Sequence, residues 1–168
     1  GGTSCENETK HDQGIHQRKE VNIDYYLNPA ASPLSEEVVR STFNVWQDAT
    51  HFRFRYMGRN RAGLVKDGKN TVSFLLKWPD DIPQGTIAYC RNWYDRQGYI
   101  IESDIVFNMA LARFTTLKTN KKGHYYIEGV LSHEIGHMIG LEHIDHESSL
   151  MKSLSSVEES FFKGQIDS

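Results

Sequence analysis

His133-Glu134-Ile135-Gly136-His137 sets two imidazoles four residues apart with a carboxylate beside the first. On a helix, residues four apart share one face, so both rings can reach a single divalent metal ion. Glu134 then stands near the ion's open side, placed to take a proton from a bound water. The pattern continues, with Gly140 three residues after His137 and His143 three residues after Gly140. A helix cannot carry a ligand at that distance back to the same ion. The chain must turn sharply, and Gly140 is the residue that tolerates the positive φ of such a turn. His143 is the third candidate ligand, with His146 the alternative to it, and Met151 is placed to supply an apolar base beneath the site. Three neutral imidazoles and one water make the open tetrahedral site of a catalytic zinc.

The helix carrying this constellation is expected from Tyr125 to Ile139. Upstream, Val21, Ile23, Tyr25 and Leu27 alternate with polar neighbours, the period of a half-buried strand. Ser35 caps a helix opened by Glu36 and Glu37, whose apolar positions Val38, Val39, Thr42, Phe43, Trp46 and Ala49 lie on one face. Further strands are read at Phe52 to Tyr56, Thr71 to Leu76, Thr86 to Cys90, Tyr99 to Ile101 and Ile105 to Phe107. A turn falls at Asp95 to Gly98, and a basic loop spans Gly58 to Lys69. A short helix is expected between Val157 and Gln165. Residues 1 to 18 are polar without a helical or strand period and read as a loose arm or prosegment remnant, leaving 19–168 as the working domain. Strands come mostly early and helices late, which is the α+β class.

The chain has 168 residues, enough for one domain with a real core. Its 19 basic and 22 acidic residues give a net charge of −3, which argues against phosphate-backbone binding, so no nucleic acid partner is expected. No apolar run reaches the length of a membrane span. Cys5 and Cys90 are too few for a disulfide scaffold. Three readings of Cys5 stay open: a bridge to Cys90, a free thiol, or a thiol that blocks the metal. Asn7-Glu8-Thr9 matches an N-glycosylation sequon.

The run from His133 to His143, with Met151 after it, resembles the metzincin zinc signature and its Met-turn. Leu141-Glu142-His143 and Ser149-Leu150-Met151 resemble the matrixin branch, which includes the matrix metalloproteinases and bacterial relatives. Gly85-Thr86-Ile87-Ala88 is similar to the edge strand on which matrixins bind substrate, and Glu102 to Asn108 to a strand of the bacterial proteins. The resemblance implies a zincin-like fold: a twisted, mostly parallel five-stranded sheet with an antiparallel edge strand and about three helices. It implies a secreted or cell-surface zinc endopeptidase acting on polypeptides, a monomer with one catalytic zinc. His133, His137 and His143 are then the ligands and Glu134 the general base. Substrate adds to the edge at Ile87, Ala88 and Tyr89. Gly129, lacking a side chain, leaves an open pocket for Leu, Met or larger apolar residues just after the scissile bond. Tyr89 and Val106 stand where two histidines of the family's structural zinc are looked for, so that second zinc is not expected. Calcium is possible through Asp80, Asp81 and Asp104, but nothing in the sequence calls for it. Lys152-Ser153 departs from the family's aromatic-proline continuation. Two other readings stand beside this one: a zinc-dependent protein-binding or adhesion module without turnover, and a protease toxin of narrow specificity.

Overall fold

The computed structural model describes residues 17–117 and 121–141, together with the backbone of residues 3–7. The chain opens with β1 (Thr3–Asn7) and then β2 (Asn22–Leu27), where Ile23, Tyr25 and Leu27 are buried and their neighbours are not. Helix α1 (Glu36–Ala49) starts where Ser35 accepts a hydrogen bond from the Val38 N–H, with Glu36 and Glu37 in its first turn. It buries Val39, Thr42, Phe43 and Trp46. Next come β3 (Arg53–Arg59), β4 (Asn70–Leu75), β5 (Ala88–Tyr94) and β6 (Ile100–Asn108). The short strands β7 (Arg113–Thr115) and β8 (His124–Tyr126) pair with each other, and α2 (Ile127–Met138) follows directly.

The main sheet runs β1-β5-β6-β4-β2-β3. Strands β3, β2, β4 and β6 are mutually parallel, and β5 is antiparallel to β6. That is the expected α+β frame of five strands with an antiparallel member at its border. A sixth strand corrects the reading of the arm: Thr3–Asn7 pairs parallel with β5, Thr3 opposite Ala88 and Asn7 opposite Asn92. Arg18, placed in the same loose arm, is buried and bridges to Ile100. The segments around Ile100 and Val106 form one strand rather than two, because Glu102, Ser103 and Asp104 are buried with hydrogen-bonded side chains. Helix α2 begins two residues later than expected, since Tyr125 and Tyr126 pair with β7. Two helices stand among the described residues, and the one expected at 157–165 lies outside them.

One core joins α1 and α2 to the sheet. Tyr25 stacks on Phe43 with ring centroids 3.8 Å apart, and Val130, Leu131 and Ile135 of α2 belong to the same buried cluster. Full burial of each such aliphatic side chain contributes about 1.5–3 kcal/mol. The Trp46 indole N–H donates to Ser132 Oγ at 2.9 Å, tying α1 to α2. Helix α2 is buried almost all round, and it packs against β1, β5 and β6. A second, smaller cluster of Trp78, Ile82, Tyr89 and Val106 is packed by Leu64 and Leu75.

Candidate metal centre

His133 and His137 stand four residues apart on α2. Their rings meet edge-on with centroids 4.7 Å apart, and the two Nε2 atoms lie 3.1 Å from each other. Two metal–nitrogen bonds of about 2.0–2.1 Å at a near-tetrahedral angle set their nitrogens roughly 3.3 Å apart, so the pair fits zinc. His133 is 8% exposed and His137 3%, so these are not surface histidines of a polar helix. Glu134 between them is fully buried.

The second ring nitrogen of His137 has a fixed task. A carbonyl oxygen only accepts, so Nδ1 carries the proton and donates to Leu141 O at 2.5 Å. That leaves Nε2 with the lone pair a metal needs. The partner is available because the helix stops abruptly. Gly140 takes φ +106°, its N–H bonds to His137 O at 3.1 Å, and the Leu141 N–H reaches back to Gly136 O at 2.9 Å. This is a Schellman ending, in which a left-handed residue lets the last carbonyls find donors. Gly140 has a second reason to lack a side chain, invisible in the sequence: a Cβ there would lie 2.7 Å from the Gln17 Cα.

His143, its alternative His146, and Met151 lie outside the described residues. Ile87, Ala88 and Tyr89 are buried just before and at the start of β5. Ala88 packs into the core shared with α2, whereas Tyr89 joins the smaller cluster and carries the Arg91 guanidinium 5.3 Å from its ring centroid. Gly129 is buried near the start of α2. The described part of the proposed site is therefore α2 beside β5, with β1 along the outer side of β5. Cys90 is buried, with its Sγ 3.4 Å from Asn92 Oδ1, and register sets Cys5 opposite it.

The aspartates singled out for calcium do not assemble. Asp80 and Asp81 are exposed, and Asp81 pairs with Arg91 at 3.0 Å. Asp104 instead meets Glu102 and Asp67, with carboxylate oxygens of all three within 4.8 Å of one another. Asp104 accepts from the Val65 and Thr71 N–H groups at 2.9 and 3.1 Å, and Glu102 from those of Asp67 and Gly68 at 2.8 Å each. These bonds pin the basic loop to the sheet. Burial pushes the Asp104 carboxyl up to about 8, against the lowering by its two backbone donors, and raises Glu102 in the same direction. No local pattern signals Asp67 and Glu102 as neighbours of Asp104, because residues far apart in the chain meet here. Arg18 was missed as well.

A family model described as Matrixin matches residues 16–167 of the chain. No curated protein matches it. Among the described residues no helix is long and apolar enough to cross a membrane.

Proposed function

The chain belongs to the matrixin family of zinc metalloendopeptidases, and from that premise we propose that it cuts polypeptides internally at one catalytic zinc held by His133, His137 and His143. The observation that carries this reading is the 3.1 Å convergence of His133 Nε2 and His137 Nε2, with His137 Nδ1 committed to Leu141 O. Zinc held there supplies a water of lowered pKa and a polarised scissile carbonyl. Glu134 is the general base: it takes the proton of the attacking water and passes it to the departing amine nitrogen. No covalent intermediate is needed, and neither cysteine takes part.

Substrate binds extended, adding backbone hydrogen bonds at Ile87, just before β5, and at Ala88 and Tyr89 of β5. Such a mode reads the main chain first, so it favours unfolded or loop segments over packed ones. Gly129 leaves the pocket after the scissile bond open to Leu, Met or larger apolar residues, and Met151 floors the site. The chain acts as a monomer outside the cell or at its surface, and its working unit reaches back beyond residues 19–168 to Arg18, which is buried against the end of α2. Calcium has no assigned role in the reaction.

The deciding experiment digests an unfolded protein with the zinc-loaded chain, with and without a zinc chelator, and maps the cuts by mass. Chelator-sensitive cleavage before large apolar residues is expected. A protein holding one zinc that cuts nothing, even after removal of residues 1–16, overturns the endopeptidase reading. Cuts chiefly before Arg or Asp overturn the pocket.

A further inference from the structure

The last carbonyl groups of a helix have no partners within it, and buried ones must find donors elsewhere. At the end of α2 the donors come from far along the chain. His137 O accepts from Asn92 Nδ2 at 3.0 Å, Met138 O from Arg18 Nε at 3.0 Å, and Ile139 O from the Arg18 backbone N–H at 3.4 Å. The rest of the Arg18 guanidinium is used as well. Nη2 donates to Asn70 Oδ1 at 2.7 Å and to Ser103 Oγ at 2.9 Å, and Nη1 to Glu20 Oε1 at 2.9 Å. Ser103 Oγ in turn donates to Asn92 Oδ1 at 2.5 Å, and the Ser103 N–H to Asn70 Oδ1 at 2.7 Å. Asn70, Asn92 and Ser103 stand on β4, β5 and β6, so the network fastens the helix end to three strands at once.

A guanidinium whose side chain is fully excluded from water is costly unless its donors are met. Here four of its five N–H donors are met, and its charge sits at the negative end of the α2 dipole. Burial lowers the Arg18 pKa and Glu20 opposes that; an arginine stays protonated regardless. The residue before it completes the clamp, since the Gln17 backbone leaves no room for a Cβ on Gly140.

From this geometry we propose that Arg18 is a positioning residue for the metal centre, holding the 138–140 turn so that His137 stays aimed at the ion. The coupling is short. Arg18 holds Met138 O and Ile139 O, the same turn carries Leu141 O, and Leu141 O fixes the His137 ring through Nδ1. If the turn loosens, the ring loses its tautomer lock, and partners of this outer kind are typically worth about 10–100-fold in metal affinity. The proposal rests on the zinc reading of the preceding section.

The test compares zinc affinity, by competition with a chromophoric chelator, in the full chain and in Arg18→Met, Arg18→Lys and Ser103→Ala. Phe54→Leu serves as a core control that lowers stability without touching the network. At a temperature where every variant is folded, Arg18→Met should bind zinc about 10–100-fold more weakly. Arg18→Lys, which keeps the charge and part of the bonding, should recover part of that loss. Phe54→Leu should lose melting temperature but keep its zinc affinity. Amide exchange at 138–141 should quicken in Arg18→Met and not in the control. If Arg18→Met loses stability alone, with zinc affinity and local exchange like the control's, the positioning role is wrong. Should Arg18→Met not fold, Ser103→Ala decides: a several-fold loss of zinc affinity supports the role and an unchanged affinity refutes it. A wild-type chain that binds no zinc would instead refute the metal centre itself.

Discussion

His137 Nδ1 donates to the carbonyl oxygen of Leu141 across the turn at Gly140, so one hydrogen bond couples the aim of a proposed zinc ligand to the way its helix ends. The ring and the turn therefore stand or fall together. Gly140→Ala tests this coupling. A left-handed backbone costs an L-residue roughly 1–2 kcal/mol, and the new Cβ would press on the Gln17 Cα from 2.7 Å, a backbone atom that cannot rotate away. The variant should lose more than that amount in urea unfolding and bind zinc more weakly at temperatures where it is folded. Normal zinc affinity in a destabilised Gly140→Ala would show that the turn does not govern the ligand.

Glu134→Gln separates binding from chemistry. The amide keeps the shape of the buried side chain but cannot accept the water's proton. Zinc content should stay at one ion per chain while turnover falls by roughly 10²–10⁴-fold, the usual worth of a positioned general base. Turnover within a few-fold of wild type would remove Glu134 from the role.

What the sequence made legible was local. Two histidines four apart on a helix, and a glycine where that helix must end, depend only on helical geometry and on one φ value, and both stand in the structure. Ser35 as a cap and the alternation of Ile23, Tyr25 and Leu27 are readable for the same reason. Contacts between distant segments were not readable. Nothing near Arg18 in the chain announces that its partners are Asn70, Ser103 and Met138. The strand at Thr3–Asn7 lacks an apolar alternation, so its backbone pairing with β5 has no sequence signature to read. The polar run Glu102-Ser103-Asp104 breaks the apolar pattern and reads as a gap between two short strands. In the fold it is buried and satisfied by the loop and by Arg18.

Asp104 gives the metal-free protein a pH dependence of defined sign. Its carboxyl is pushed from 3.8 up to about 8, chiefly by burial, so the folded chain holds a proton there that the unfolded chain releases. The stabilisation from that proton is complete below the unfolded value and is lost as pH rises through the folded one. Stability should thus decline between about pH 4 and pH 8, by at most about 1.4 kcal/mol per pH unit from this group. Asp104→Asn stays neutral throughout and should flatten the decline, leaving the smaller slope from Glu102, which shifts the same way. Urea unfolding in the presence of chelator, at several pH values for both proteins, checks it. Titration of the metal-site histidines is common to both proteins and cancels in the comparison. Parallel curves would mean that Asp104 titrates normally in the fold.

Strand β1 occupies the outer side of β5, the side to which the proposed substrate would add. Two strands cannot bond to the same row of backbone groups, and a tethered strand acts at a high effective concentration. Deleting residues 1–16, while keeping Gln17 and Arg18, should lower KM for an unfolded peptide several-fold and leave kcat nearly unchanged. A synthetic peptide of residues 1–10 should then inhibit the shortened enzyme competitively. An unchanged KM together with no inhibition would mean that substrate does not use the β5 edge, and the binding mode built on Ile87, Ala88 and Tyr89 would have to be abandoned.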